Sequence, residues 1–324
     1  MQRSADFSPI AWALSDGHAG NVRQTHALAA ALGVGTREWV LAARAPWRWV
    51  APRRLPLAAR AFGDAFAGAL AGAVPHRPGL AIGCGRQAAL ATRLLRGTGT
   101  RTVQILDPRI DPCHWDLVIA PEHDGLRGDN VLSLLGSLHP VDDLWLAAAR
   151  AGFPALGQLP RPLTTVLVGG PSAHAAFDAA SVAALVDGLA SAQRRDGGSL
   201  LITTSRRTPE AAVARLRALV AAQPGLLWAG AGDGPNPYAG LLGWADRIVG
   251  TADSVNMLSE ACATSVPVFV FGADRLGGRP RRFVDALQAL GRLRAFDDAL
   301  GAFPVTPLRE TARVAAEVRA RLGI

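Results

Sequence analysis

Short apolar runs alternate with helix-periodic stretches along this chain, and the alternation restarts near the middle. A short run that is apolar throughout suits a strand covered on both faces. Strands separated by helices pair in parallel. In the first half Pro9–Ser15, Arg37–Ala42, Leu80–Gly85, Thr102–Pro108 and Asp116–Asp124 read as strands. Helices are expected over Val22–Gly33, over the RQAALATRLLRG stretch after Gly85, and over DDLWLAAARAGF, with VLSLLGSLHPV a short strand or loop. In the second half Thr164–Gly170, Ser199–Ser205, GLLWAGA, Asp246–Ala252 and Pro267–Ala273 read as strands. Helices are expected over SVAALVDGLASAQRRDG, PEAAVARLRALVAAQPG and Ser254–Ser265, and in the tail from Thr306.

Phe153–Leu163 carries three prolines between two such series and reads as the linker. With 324 residues, 49% of them apolar, the chain has material for two cores. The expected fold is therefore α/β, with Rossmann-like domains at 1–155 and 156–324 facing across a cleft and a C-terminal helix packing back. Open parallel sheets bind ligands beyond the carboxyl ends of their strands.

All 34 basic residues are Arg, against 26 acidic ones, a net charge of +8. Arginine grips phosphate bidentately, so an anionic ligand or an acidic membrane surface is a natural partner. Cys84, Cys113 and Cys262 form no paired pattern, which suits reduced thiols in a cytosol. MQRSADFSP has no apolar signal core, and no apolar run approaches the roughly 20 residues that span a bilayer. The expected location is cytoplasmic, with any membrane contact peripheral and on the inner face.

In the first half, SDGHAGNVRQ (Ser15–Gln24) places glycines between a strand and a helix. Backbone N–H groups of Gly17, Gly20 and Asn21 could meet an oxyanion there, with Asp16 and His18 as candidate bases. A tight turn capped by Asn21 is the structural alternative. GCGRQAA (Gly83–Ala89) fits the dinucleotide pattern with Asp107 following, yet it is not on the first strand. A turn lining the cleft, with Arg86 and Gln87 toward ligand, is the preferred reading. LDPR (Leu106–Arg109) and APEHDG (Ala120–Gly125) follow strand ends. Glu122, His123 and Asp124 could deprotonate a hydroxyl, or simply make turns. His114 and His123 show no metal-ligand spacing, so no metal and no cofactor are expected.

In the second half, VGGPSAH (Val168–His174) allows close backbone approach at Gly169 and Gly170. TTSRRTP (Thr203–Pro209) places Ser205, Arg206 and Arg207 just past a strand, where the arginines could neutralise a diphosphate or lie on a solvated surface. GTADSVNMLSEA (Gly250–Ala261) is the most informative stretch. Thr251, Ser254 as N-cap and Asn256 surround a helix start suited to phosphate, and Glu260 lies where a carboxylate can chelate ribose hydroxyls.

Arg44–Phe62 interleaves Trp47 and Trp49 with Arg44, Arg48, Arg53 and Arg54. Such segments dock on anionic membranes, while tryptophans plugged into the core are the structural alternative. Single strands also favour arginine and aromatics, but no nucleic-acid partner is expected. GGRPRRF (Gly277–Phe283) reads as a second basic loop.

Taken in order, SDGHAGNVRQ, ILDPRIDPCHWDLVIAPEHDG, ITTSRRTP and GTADSVNMLSEA resemble the mitochondrial-fission "elongated mitochondria" family of plant and bacterial proteins. Plant members are implicated in recruiting a dynamin-like protein to mitochondria. The second half also resembles glycosyltransferase-B enzymes such as the lipid-acting N-acetylglucosaminyltransferase of peptidoglycan synthesis. That resemblance implies an acceptor-side first domain and a nucleotide-binding second one. It assigns Glu260 to the donor ribose and, loosely, His18 to the acceptor side. SDGHAGN is less glycine-dense than the enzyme's loop. The implied function is metal-independent transfer of sugar from a nucleoside-diphosphate sugar to a lipid-linked or envelope glycan acceptor. A non-catalytic scaffold recruiting a partner at a membrane is the alternative. An NAD-dependent epimerase fits less well, because the chain has one Tyr and no Lys.

Overall fold

The computed structural model describes residues 10–72, 78–172, 177–297 and 299–324. Each apolar run of the first half becomes a strand, the central ones β1, β3, β4 and β5 because both their faces are covered, and the mostly exposed β2 as an edge. β1 (Ile10–Ser15) leads to α1 (Ala19–Ala31) and β2 (Gly35–Val40). The short helices α2 (Trp47–Val50) and α3 (Asp64–Ala71) precede β3 (Leu80–Cys84) and α4 (Arg86–Arg96). β4 (Arg101–Ile105), β5 (Leu117–Pro121) and β6 (Val131–Leu134) follow. All six strands are parallel, in the order β2-β1-β3-β4-β5-β6. On one face Leu28 of α1 packs with Ile82, Ile105 and Ile119. On the other, Leu90 and Leu94 of α4 and Phe66 of α3 cover Trp12 and Leu14.

The second half repeats the scheme. α5 (Asp143–Gly152), β7 (Leu163–Val168), α6 (Ala179–Asp196), β8 (Ser199–Thr204), α7 (Glu210–Ala221) and β9 (Gly225–Trp228) come first. α8 (Tyr238–Trp244), β10 (Arg247–Thr251), α9 (Val255–Cys262), β11 (Val268–Phe271), α10 (Gly278–Ala289) and β12 (Arg294–Ala295) complete it. Their order is β12-β11-β10-β7-β8-β9, again all parallel. This is the doubly wound order in which the direction of winding along the sheet reverses between the first and fourth strands, β7 and β10.

The chain divides into two units: residues Met1–Pro140 with Glu310–Ile324, and Val141–Arg309. The boundary lies at Pro140, not at 155/156, because α5 belongs to the second unit. Arg150 on α5 donates to the Gly243 carbonyl at 3.1 Å. The proline-rich segment expected as linker is also part of that unit's core. Leu156 is buried with Leu163, Leu201 and Leu241, and the Trp244 indole N–H donates to the Phe153 carbonyl at 2.9 Å. The final helix, α11 (Thr311–Leu322), packs on the first unit. Thr311 Oγ1 exchanges hydrogen bonds with the His139 backbone, and the Glu310 carboxylate accepts from the Leu135 N–H at 2.7 Å. The expected basic loop Gly277–Phe283 is instead mostly the first turns of α10, with Phe283 fully buried.

One ion pair ties α6 to β10. Arg247, itself buried, donates to Asp196 at 2.7 Å and to Thr164 Oγ1 at 2.8 Å. Hydrogen bonds from Arg195, with those from Arg247, outweigh partial burial and hold the Asp196 carboxyl at about 2, against an ordinary 3.8. A depressed carboxyl stabilises the fold above the unfolded value and loses that contribution as pH falls through the folded one. The difference corresponds to about 2 kcal/mol. Asp196→Asn is expected to lower urea stability by about that amount at pH 6, with the gap closing toward pH 2. A gap independent of pH would contradict this assignment.

Candidate functional site

In the second unit, the carboxyl ends of β7, β8 and β10 bring three loops together around one residue, Asp253. Its side chain is only 3% exposed. It accepts from the Gly170 N–H at 3.0 Å, the Thr251 hydroxyl at 2.7 Å and the Arg207 guanidinium at 2.7 Å. Thr251 Oγ1 in turn accepts from the Gly169 N–H at 2.7 Å. Gly169 and Gly170 are required by this crowding: a Cβ on the first would collide with the Asp253 carboxylate, and on the second with the Arg207 carbonyl. Ser205 shapes the β8 loop, accepting from the Arg207 N–H at 3.2 Å and facing the Thr208 hydroxyl at the same distance.

This network revises one expectation. Arg207 does not reach out for a diphosphate; it is held by Asp253 and by the Gly170 and Pro171 carbonyls, both at 3.1 Å. Arg206 is exposed, with no hydrogen bond or ion pair among the described residues, and is the arginine open to an anion. Ser254 caps α9 as expected, accepting from the Met257 N–H at 3.4 Å. Asn256 lies half-buried in the first turn of α9. Glu260 is not solvent-facing. It is 4% exposed and accepts a hydrogen bond from the Tyr238 hydroxyl at the start of α8. The far end of α9 is capped by Arg292, which is buried and donates to the carbonyls of Cys262 at 2.7 Å and Thr264 at 2.8 Å. Residues 173–176 of the VGGPSAH stretch, His174 among them, lie outside the described residues.

The first unit has its own cluster where β1 and β3 diverge. Asp16 accepts from the Asn21 amide at 2.9 Å, the His18 N–H at 3.1 Å and the His18 ring Nδ1 at 2.9 Å. Burial raises the proton affinity of Asp16. The hydrogen bonds from Asn21 and His18 outweigh it, so the carboxyl titrates below its ordinary range. A carboxylate on Nδ1 leaves Nε2 as the acceptor nitrogen of a neutral imidazole, and the His18 side chain is 72% exposed. Asn21 is not the N-cap. His18 occupies that position, Gly20 lies in the first turn of α1, and Asn21 joins Asp16 to the buried Cys84 thiol at 3.4 Å. Gly17 donates to Ser15 Oγ at 3.2 Å, within the chain rather than outward.

His123 is not part of this cluster. It follows β5, separated from β1 by β3 and β4, a spacing of about 14 Å. Arg86 and Gln87 do not face a ligand either. Arg86 donates to the Arg48 carbonyl at 3.0 Å and Gln87 accepts from the Ala43 N–H at 2.6 Å, so both anchor the 44–62 segment. Gly83 serves packing, since a Cβ there would lie 2.6 Å from Thr92 of α4. In the 44–62 segment Trp47 packs on the core and donates to the Pro56 carbonyl at 3.1 Å, while Trp49 and Leu57 are each 65% exposed. Among the described residues, no group of three or more His, Cys, Asp or Glu is placed to hold a metal, and no helix is long and apolar enough to cross a membrane.

Two doubly wound parallel sheets, each with its loops gathered at a switch point, define a glycosyltransferase-B-like fold. It is similar to LpCGTa in complex with UDP (TM-score 0.51, 15% identity, 97% of this chain and 91% of that one). It is also similar to Methanocaldococcus jannaschii UDP-GlcNAc 2-epimerase in complex with UDP-GlcNAc and UDP (TM-score 0.50, 10% identity, 96% and 99%). The chain belongs to the mitochondrial fission ELM1 family, whose model matches residues 19–322. It is 33% identical to the mitochondrial fission protein ELM1 of Arabidopsis thaliana over 276 residues, 76% of this chain and 64% of the relative. An uncharacterised protein of Rickettsia prowazekii (strain Madrid E) is 25% identical over 213 residues, 63% of this chain and 58% of the relative. The chain thus spans less than two thirds of the length of these curated relatives.

Asp253 and Tyr238 were not singled out from the sequence. Removing the carboxylate in Asp253→Ala takes the acceptor from the Gly170 N–H and the Thr251 hydroxyl and frees the exposed Arg207, at an expected cost of about 2 kcal/mol in chemical denaturation of the full chain. A loss below about 0.5 kcal/mol would show that Asp253 does not hold these loops together.

Proposed function

We propose that the carboxyl edge of the second unit binds a nucleoside diphosphate and that the protein transfers sugar from the corresponding nucleotide sugar. The observation that carries this is the buried Glu260, set in α9 behind the Ser254 cap at the β7/β10 switch point. The start of α9, with its dipole, and Arg206, which has no carboxylate partner among the described residues, suit the leaving diphosphate, whose developing charge is the main electrostatic task of the transfer. Two proteins of similar fold are recorded with UDP, which makes a uridine nucleotide the first donor to test. In the first unit, His18 has the chemistry of a general base. Its Nε2 takes the proton of the acceptor hydroxyl, and Asp16 fixes the tautomer and steadies the imidazolium that forms. Asp16 itself, held ionised by its donors, is the orienting group. No metal is assigned a role.

The acceptor is proposed to be lipid-linked. Trp49 and Leu57 stand exposed beside Arg48, Arg53 and Arg54, an arrangement suited to the headgroup region of an anionic membrane at the inner face of a cytoplasmic compartment. The same patch also favours the second reading, a scaffold of this fold that recruits a partner at a membrane without turnover. Sugar release from UDP-sugars, present or absent, separates the two.

Calorimetry with UDP is expected to show binding to the wild type and at least about tenfold weaker binding to Glu260→Gln. Equal affinity in a variant with unchanged Tm would reject the ribose assignment. In sedimentation with vesicles, Trp49→Ser combined with Leu57→Ser is expected to lower partition onto anionic lipid at least about tenfold. No partition of the wild type onto such vesicles would remove the membrane contact from this proposal.

A further inference from the structure

The first unit has a concave feature on the edge of its sheet opposite the loops discussed above. At the amino ends of β4, β5 and β6 lies an open groove of about 930 Å3, within the size range of small-molecule sites. Its walls include Arg96 at the end of α4, Arg101 at the start of β4, Arg127, and Arg321 near the end of α11. Five-residue strands set this edge about 16 Å from the carboxyl edge. None of its residues belongs to the site already described.

The four arginines differ in how they are engaged. Arg96 pairs with Asp116 at 3.0 Å, and that carboxylate also accepts from the Thr102 N–H at 2.7 Å. Arg321 pairs with Glu317 at 2.6 Å and donates to the Asp129 carbonyl at 2.7 Å. Arg101 donates only to the carbonyls of Leu322 and Gly323, which close α11. Arg127 donates only to the carbonyl of its neighbour Leu126, at 3.0 Å. Two guanidiniums in the groove therefore have no carboxylate partner among the described residues. A guanidinium stays charged at any physiological pH and its planar fork matches a phosphate.

Acidic groups share the walls. Asp116 is satisfied by Arg96 and Thr102, and Asp111 accepts from the Cys113 N–H at 2.8 Å. The Asp129 carboxylate makes no hydrogen bond or ion pair among the described residues, and both it and Asp111 keep acceptor capacity for hydroxyl donors. Carboxylates on the walls would repel a run of phosphates, which disfavours a polyanion. A compact ligand with one phosphate and several hydroxyls matches both sets of groups. The wall between them is firm: the Asn130 amide donates to the carbonyls of Pro112 at 2.8 Å and Trp115 at 2.9 Å, and Trp115 is buried.

We infer that this groove binds a phosphorylated sugar, its phosphate taken by Arg101 and Arg127 and its hydroxyls by Asp111 and Asp129. The inference goes beyond the nucleotide reading of the second unit and does not depend on it.

Cys113 provides the test. It is exposed and lines the groove, whereas Cys84 and Cys262 are buried, so a maleimide reports on the groove selectively. Saturating glucose 6-phosphate is expected to slow labelling of the full chain about tenfold, with glucose alone having no effect. Arg127→Gln holds no other element in place, so it should keep the wild-type Tm yet need about tenfold more glucose 6-phosphate for the same protection. An unchanged labelling rate up to about 10 mM glucose 6-phosphate would overturn the proposal, as would undiminished protection in Arg127→Gln. Equal protection by inorganic phosphate would overturn the sugar part. UDP affinity measured on Arg127→Gln should match the wild type, so failure here and failure of the nucleotide reading are read separately.

Discussion

Parallel pairing is the constraint from which the rest of this molecule follows. A parallel strand must return through a crossover, so each strand is followed by a helix and each strand's carboxyl end opens onto a loop at the same edge. With helices on both faces of each sheet, the residues of the central strands β1, β3, β4, β5, β7, β8 and β10 are nearly all buried and carry no chemistry. The polar residues that must do something are pushed to the loops. The reversal of winding between β7 and β10, and between β1 and β3, decides which loops splay apart to leave room for a ligand. Both reversals in this chain are occupied by clusters of polar groups, around Asp253 and around Asp16.

These two clusters solve different problems with the same residue type. Asp253 is buried and surrounded by donors from three loops, so its charge organises backbone rather than meeting a ligand. Asp16 is partly exposed and holds an imidazole whose other nitrogen faces solvent, so its charge is passed on to a group that can react. α9 is fixed from both ends, by Ser254 at its start and by Arg292 across its last carbonyls, and that rigidity sets where Glu260 can sit. A carboxylate so deeply placed needs a partner, and the Tyr238 hydroxyl supplies one.

The sheets were legible from the sequence because burial on both faces leaves short runs of aliphatic and β-branched residues without charge, as in Leu163–Val168 and Ser199–Thr204. What resisted reading was tertiary. Proline usually marks exposed connections, yet Pro154–Gln158 forms a turn whose Leu156 is buried, because Trp244 and Leu241 arrive there from far along the chain. GGRPRRF was expected to be a basic loop, but its Pro280 fits the first turn of a helix, and Phe283 is buried with Val284 and Leu287 of α10. Within the sites, Gly169, Gly170 and Ser254 announced themselves by spacing. Asp253 did not, because an aspartate before a helix cap looks like turn chemistry until the donors from β7 and β8 are seen converging on it. Tyr238 had no local signal at all.

Charge is where the gap between sequence and structure matters most for function. An excess of arginine counted along the chain says little, since most of the guanidiniums discussed here close helices, pair with carboxylates or hold carbonyls. Arg207 sits beside Arg206 in a motif that looks made for a diphosphate, and one of the two is consumed by Asp253. Arg86 begins a glycine-rich turn and is consumed by the Arg48 carbonyl. Arg206 on one unit, and Arg101 and Arg127 on the other, have no carboxylate partner among the described residues and lie at the proposed anion sites, which makes them the informative ones. A positive charge kept in a concave surface without a counter-charge is maintained against its own self-repulsion. That cost is offset when an anion binds, so guanidiniums left without a carboxylate, rather than the net charge, are where an anionic ligand is proposed for this chain.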